Sequence, residues 1–525
     1  MGVITRLQGQ AVYPVAYFSD GGLVLATNRD FSATLYILTK ATPEPPTRAE
    51  VLASGTAVAV QTSKYASSSE KCWMWAASSA DCDVEFAPSV QPVLEESEEI
   101  RGLYNVKGLR RLIEQIPKAM TPGSGGIDTV WVGDSLLESM GVTSYLDDSI
   151  SSQFGKLVQV AYNPAGCPGG LGLVPVRSGN ADNLYNWGGL LVLNSVRNMV
   201  WTANNTVTNT ASGNAISRKR VSFSGATNQI RIFLDPQNTS PSKRRGVTSI
   251  DLVFGQSNGT DSGGITGGTF TWDLHNLDAF CAAAASGYSL TGTINSNGTP
   301  SFGKRSQIGG TLDPMLPYSV QVSGPASGTA NIDGILCFNG DEATGWRNHN
   351  AGRVGANVTD SWTEETLYAT YDAWCTRSGS PAGSRATNCY CFVGNLITNA
   401  CAAQTPIATF KSGLAVHMDR AIGLGACYWA IIPPVYDDGL RAKAIPYEAY
   451  KLAIYELVAE RSDNVVLMDF DRWSRVPATD AYLNTTMGWV NTSMADHHTD
   501  VGAMGHAEVL FAAVREAQAA LAVAA

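Results

Sequence analysis

Between residues 187 and 330 helical periodicity almost vanishes from this chain, while on either side it returns. Inside that stretch, strand-like runs (Val221–Phe223, Gln229–Leu234, Ser249–Phe254, Thr269–Leu274 and Tyr318–Val322) alternate with turns rich in Gly, Asn, Ser and Thr. Short alternating runs punctuated by turn residues predict an antiparallel β-sandwich. The flanks read differently. Ile127–Val132 is a short apolar run of the buried-strand kind; a helix and then a strand, Leu157–Tyr162, are expected after it. Beyond the break, Ile332–Phe338, Ala426–Ile432 and Val465–Phe470 read as strands. Trp362–Thr376, Tyr447–Arg461 and Gly502–Ala522 read as helices. Strands alternating with helices predict a parallel α/β sheet. The expected architecture is therefore an α/β domain in two parts, 121–186 and 331–525, interrupted by a β-sandwich over 187–330.

Residues 1–120 read as a separate, β-containing region. Gly22–Ala26 and Thr56–Gln61 suggest short strands, Thr42–Thr47 a proline-rich turn, and Leu94–Ile100 an acidic helix-like piece before a more basic one near Val106–Lys118. No chemistry is apparent there, so an attachment or structural role is expected. Thr121–Gly126 is a flexible joint.

A chain of 525 residues exceeds one compact core, which agrees with several domains. Its formal net charge of −10 and the lack of a basic run speak against nucleic acid and anionic membranes as partners. The first residues lack a basic segment leading into an unbroken apolar stretch, so no N-terminal export signal is expected. The longest apolar run, Ala426–Val435, is too short to span a bilayer and holds two prolines. Of ten cysteines, Cys375, Cys389, Cys391 and Cys401 lie close in sequence. Buried free thiols are the first expectation and a disulfide the second. Zinc is the weakest, because Cys389 and Cys391 are spaced C-x-C with no histidine to complete a set.

The segment Val130-Trp-Val-Gly133-Asp134-Ser135 carries the clearest chemistry. A serine hydroxyl needs a base, oxyanion donors and a rigid, exposed mount before it becomes a useful nucleophile. A buried strand turning sharply into a helix is such a mount, and the N–H groups at the helix start face a developing negative charge. A serine N-cap is the plainer reading of the same residues.

Later segments complete a pattern. Gly133-Asp134-Ser135, the glycine-rich loop Asn163-Pro-Ala-Gly166-Cys-Pro-Gly169-Gly170, the run Ile335-Leu-Cys-Phe-Asn339-Gly340-Asp341-Glu342, and Asp496-His497-His498 before the last helix occur in this order. The chain thereby resembles the GDSL/SGNH hydrolases, in particular the sialate O-acetylesterase-like carbohydrate esterases, over residues 127–186 and 331–525. The resemblance implies a flavodoxin-like parallel sheet flanked by helices. Ser135 is the implied nucleophile. The implied oxyanion donors are the backbone of Ser135, a glycine at 166 or 170, and the Asn339 amide. No cofactor or metal is implied.

The family places Asp three residues before its histidine, but here Met494 and Ala495 hold those positions. Thr499 and Gly502 fit the family register if His497 is the base. Alternation along an extended segment instead pairs Asp496 with His498. Both histidines stay open. Among the others, His275 lies in the β stretch, His417 on a helix face and His506 inside the last helix. Asp134, Arg347 and His349 are candidate substrate contacts. His349 reads as part of a polar loop, where a solvated histidine is the plainer alternative.

The activity implied is removal of O-acetyl groups from a polysaccharide through an acetyl-enzyme. The texture of the chain is similar to that of a bacteriophage tail-spike deacetylase, made in the cytoplasm and acting in a virion tail or after release. That likeness implies homo-oligomers (trimers if a tail spike) attached through the N-terminal region. A glycan-binding virion protein on a degenerate hydrolase scaffold and a GDSL esterase for small or lipid esters are the alternatives. The β insertion is expected either to bind sugar or to shield the cleft.

Overall fold

The computed structural model describes residues 3–8, 11–18, 22–28, 33–40, 44–59, 63–68, 72–90, 94–134, 150–162, 172–175, 197–204, 208–211, 219–235, 248–259, 266–277, 284–313, 316, 318–338, 344–350, 356–358, 389–435, 438–441, 443–475, 490–491, 494–498 and 500–524. The chain divides into two units. The first comprises 1–95, 397–415 and 437–462, and the second the remainder.

Among the described residues of the first unit, eight strands make two antiparallel sheets. These are β1 (Val3–Leu7), β2 (Tyr13–Phe18), β3 (Gly22–Asn28), β4 (Leu35–Lys40), β5 (Thr56–Val58), β6 (Ser63–Ser68), β7 (Cys72–Ser78) and β8 (Cys82–Val90), with helix α1 (Arg48–Ser54) before β5. The sheet orders are β1-β8-β3-β6 and β2-β7-β4-β5. Leu7, Ala26, Leu35, Ile37, Met74 and Val84 form their buried cluster. Thr47 caps α1 by accepting the N–H of Glu50, which satisfies one of the donors a helix start leaves open.

The second unit begins earlier than the expected boundary at 120. Strand β9 (Leu103–Tyr104), a 3-10 turn (Val106–Leu109) and helix α2 (Arg110–Ala119) belong to it, and β9 pairs antiparallel with a strand of the α/β sheet. The acidic piece Leu94–Ile100 is not helical. Its Glu96 carboxylate instead holds Arg472 through two contacts, at 2.9 and 3.0 Å.

Next come β10 (Ile127–Gly133) and α3 (Ile150–Tyr162). The run Leu157–Tyr162, expected as a strand, is the second half of α3. Its apolar spacing serves a helix: Phe154, Val158 and Tyr162, four residues apart, all pack into the core beneath the sheet.

The middle stretch forms two antiparallel sheets. One runs β13-β14-β21-β16-β19, from β13 (Thr208–Ala211), β14 (Lys219–Phe223), β16 (Ser249–Gln256), β19 (Ser301–Gly309) and β21 (Ala330–Phe338), with β11 (Gly172–Pro175) added on β21. The other runs β12-β15-β20-β17-β18, from β12 (Arg197–Asn204), β15 (Gln229–Asp235), β17 (Thr269–Leu277), β18 (Ala284–Asn295) and β20 (Tyr318–Ser323). Phe254 of the first sheet meets Phe270 of the second edge to face at 5.9 Å. The five strand runs predicted here lie in β14, β15, β16, β17 and β20.

Ile332–Phe338 was expected to resume the α/β sheet. It lies instead in β21, hydrogen-bonded antiparallel between β14 and β16. The α/β sheet resumes at β22 (Trp346–Asn350), within the segment read as a polar loop. It continues through β23 (Cys389–Asn395), β24 (Cys427–Ile432) and β25 (Val465–Asp469). Its order is β22-β10-β23-β24-β25-β9, parallel except for β9. Counted along the chain, the five parallel strands stand in the order 2-1-3-4-5, the flavodoxin-like arrangement.

Strands β10, β24 and β25 are buried at every position, as parallel strands covered on both faces must be. Ile127, Trp131, Cys391, Val393, Trp429, Ile431 and Met468 pack on one face against α2, α3 and the last helix. The other helices are α4 (Ile397–Ala402), α5 (Ile407–Gly423), α6 (Asp438–Arg441), α7 (Tyr447–Glu460), α8 (Phe470–Trp473) and α9 (Asp500–Ala524). A short hairpin, β26 (Val490–Asn491) with β27 (Met494–His498), precedes α9. The predicted helix Trp362–Thr376 lies outside the described residues.

Candidate active site

In a sheet of this order, the connections leaving the first and third strands diverge, and their carboxyl ends border the crevice where ligands bind. Here those strands are β10 and β23. Their last paired residues are Gly133 and Asn395. Asp134 follows Gly133, and both Asp134 and Asn395 are buried. The Asn395 Nδ2 donates to Asp134 Oδ1 at 3.3 Å. Asn395 Oδ1 has no hydrogen-bond partner among the described residues. A side-chain amide carries two N–H donors. With one of them engaged by Asp134, this amide is held at the carboxyl end of β23, against the residue that precedes Ser135 in sequence.

Asn395 was not singled out in the sequence, although its signal was present. Cys391-Phe-Val-Gly394-Asn395 repeats the pattern of Trp131-Val-Gly133-Asp134: a buried apolar run ending in glycine and a small polar residue. The expected amide, Asn339, follows β21, which is antiparallel and outside the α/β sheet. Its block therefore does not end a strand of that sheet. Asn339 itself, Ser135, Gly166 and Gly170 lie outside the described residues. Gly166 and Gly170 also follow a helix, α3, and not the strand that the family pattern requires. Asp496, His497 and His498 fall on β27, whose backbone is extended.

Arg347 and His349 are not on a solvated loop. Strand β22 lies parallel to β10, with Arg347 opposite Asp128 and His349 opposite Val130. Arg347 grips Asp128 with two hydrogen bonds, Nε to Oδ1 at 2.7 Å and Nη2 to Oδ2 at 2.6 Å. His349 Nε2 meets the same carboxylate at 2.7 Å. All three are buried. Burial pushes the Asp128 carboxyl upward, but Arg347 and His349 more than reverse this and hold it below the ordinary carboxylate range. Burial holds His349 below the ordinary imidazole value, against the pull of Asp128. These side chains face an internal carboxylate, so they are not assigned to substrate.

His417 and His506 are also buried. His417, in α5, is pushed down to about 4 by burial. His506, in α9, lies 4.3 Å from the Phe470 ring. Cys82, Cys391, Cys401 and Cys427 are buried thiols outside any disulfide. Cys401 is pushed up to about 12, chiefly by burial. Cys427 is raised by its bond with Cys391 and by burial. Such thiols are poor nucleophiles. Among the described residues no group of His, Cys, Asp and Glu could hold a metal ion, and no helix is long and apolar enough to cross a membrane.

No protein-family profile matches the chain, and no curated protein matches it in sequence. Solved structures do show likeness. The chain is similar to a peptidoglycan O-acetylesterase, with 12% identity and a TM-score of 0.47 over 82% of this chain and 99% of that one. It is also similar to a putative lipolytic protein of the G-D-S-L family from Desulfitobacterium hafniense DCB-2, with 15% identity and a TM-score of 0.22 over 33% of this chain and 82% of that one. A family 35 carbohydrate binding module from Clostridium thermocellum aligns with 26% of this chain and 91% of its own length, at 12% identity and a TM-score of 0.18.

Proposed function

We propose that this protein is a serine ester hydrolase of the SGNH type that removes acetyl groups from a carbohydrate. One observation carries the reading: the Asp134–Asn395 pair lies at the switch point of a 2-1-3-4-5 sheet, immediately before Ser135. The helix that follows the histidine segment supports the reading. Helix α9, directly after the His497-His498 segment, buries Ala507, Leu510, Ala513 and Val514 in the core beneath β10.

In this reading His497 or His498 takes the Ser135 proton as the hydroxyl attacks the acetyl carbonyl. Asp496 with His498 remains the pairing favoured by strand alternation. The backbone N–H of Ser135 and the Asn395 amide receive the oxyanion. A glycine donor is then sought after β22, the second strand of the sheet, where the sequence reads Ala351-Gly352-Arg353-Val354-Gly355. Water releases acetate from the acetyl-enzyme. Two antiparallel sheets inserted into a hydrolase fold suit a polymeric substrate. Oligomerisation and attachment through the N-terminal region complete the proposal.

The test is acetate release from O-acetylated polysaccharide and hydrolysis of p-nitrophenyl esters, with Ser135→Ala alongside. Ser135-dependent turnover with a sharp preference for acetyl supports the reading. A preference for longer acyl chains points to a lipid or small-ester hydrolase. Equal slow turnover by both proteins leaves a glycan-binding module.

A further inference from the structure

Strand β24 carries a tyrosine that the reaction just described does not use. Tyr428 stands opposite Phe392 on β23, and its ring extends along β23 toward the crevice. It ends over Gly394. A Cβ placed on residue 394 meets the Tyr428 hydroxyl oxygen at 1.8 Å and its ring carbon Cζ at 2.6 Å. Only glycine fits under this phenol. The ring is 1% exposed. Its hydroxyl has no hydrogen-bond partner among the described residues.

That hydroxyl is costly where it stands. A buried polar group without a partner loses about 1–3 kcal/mol relative to one that is satisfied. Phenylalanine would fill the same slot without the loss. Unpaired buried polar groups are rare and call for an explanation, and strain of this kind gathers at functional sites. The residue beneath the hydroxyl supplies the explanation, because Gly394 is bonded directly to Asn395. The phenol oxygen acts as a hard stop under the Gly394–Asn395 peptide.

We propose that Tyr428 is a positioning residue for Asn395, its hydroxyl fixing the height of the Gly394–Asn395 peptide at the mouth of the sheet. The inference rests on the esterase reading and adds a residue to it. Removing the oxygen leaves a gap of about one atom, into which Gly394 can sink. Misplacing a catalytic group by about 1 Å can cost on the order of a hundredfold in rate. A partial shift is expected to cost about tenfold. The loss falls on kcat, because the amide acts on the oxyanion and not on the bound ester.

The experiment compares Tyr428→Phe and Gly394→Ala with the wild-type full chain, using p-nitrophenyl acetate and thermal unfolding. Tyr428→Phe is expected to lower kcat about tenfold, with KM within about twofold and a melting temperature equal or higher. Gly394→Ala, whose new methyl strikes the hydroxyl, is expected to lose more. A wild-type kcat in Tyr428→Phe overturns the proposal. If wild-type turnover proves independent of Ser135, the esterase reading fails separately. Positioning is then judged by the side-chain amide resonances of Asn395 in ¹⁵N-labelled protein, assigned with Asn395→Asp. They move in Tyr428→Phe if the proposal holds, and their staying in place overturns it.

Discussion

Asp128 and Arg347 stand opposite each other on parallel strands β10 and β22, joined through both carboxylate oxygens at 2.7 and 2.6 Å. The pair ties the edge strand of the sheet to the strand that leads to Ser135. Both groups are at least 95% removed from solvent. Cutting one partner from a buried pair leaves the other charge uncompensated, at about 3–5 kcal/mol. Asp128→Asn is therefore expected to lower unfolding free energy by that amount in urea titrations. A loss below about 1 kcal/mol would mean that water reaches the pair.

Acid should destabilise the fold before the carboxylates titrate. His417 is pushed down to about 4 in the folded chain, against about 6.5 when unfolded. The unfolded state thus binds the proton first, so stability is intact above about pH 6.5 and falls as the pH drops. By pH 5 His417 alone should account for about 2 kcal/mol. His349, also held low by burial, acts in the same direction. Asp128, held below the ordinary carboxylate range, adds its share only as the pH falls through about 4 and below. His417→Leu should flatten the dependence of the urea midpoint between pH 7 and 5. An unchanged slope would show that His417 is not the group responsible.

The two asparagines make a direct comparison. Asn395 ends the third strand of the sheet, while Asn339 follows an antiparallel strand outside it. Loss of one oxyanion donor costs about 10²–10³ in kcat. Asn395→Ala should show that loss on p-nitrophenyl acetate, whereas Asn339→Ala should stay within about threefold of wild type. The reverse ranking would return the amide role to Asn339.

The parts of this fold that the sequence disclosed are those governed by burial on both faces. Ile127–Val132, Ala426–Ile432 and Val465–Phe470 are mostly apolar runs, and each holds a strand of the parallel sheet. Edge and context-dependent elements were hidden. Strand β22, Trp-Arg-Asn-His-Asn, looks like a loop because its polar side chains find internal partners: Arg347 and His349 on Asp128, and Asn348 accepting from Trp131 Nε1 at 2.9 Å. The run Ile335–Phe338 is as apolar as a parallel strand. Its membership in the antiparallel sheet is decided by neighbours distant in sequence, Val221–Phe223 and Ser249–Phe254. Reading that run as a strand of the parallel sheet is what pointed to Asn339, while the strand that does belong to the sheet ends at Asn395.

Helix α3 gives the last expectation, because Leu157–Tyr162 supports either a strand or a helix until its partners are known. Phe154 touches three indole rings edge to face, Trp131 at 5.5 Å, Trp346 at 5.9 Å and Trp429 at 6.3 Å. Tyr162, two turns on, stacks on Trp346 at 5.3 Å. Leu157 packs against the same core as Phe154, Val158 and Tyr162, whereas a strand of period two would turn residue 157 to the opposite face. Phe154→Ala opens a cavity in a core closed on every side, at about 3–5 kcal/mol. Val158→Gly adds the loss of a buried side chain to the helix penalty of glycine, about 1 kcal/mol. Urea denaturation followed by tryptophan fluorescence reads both. Losses below about 1 kcal/mol at 154 and 158 would remove this packing of α3 on the sheet.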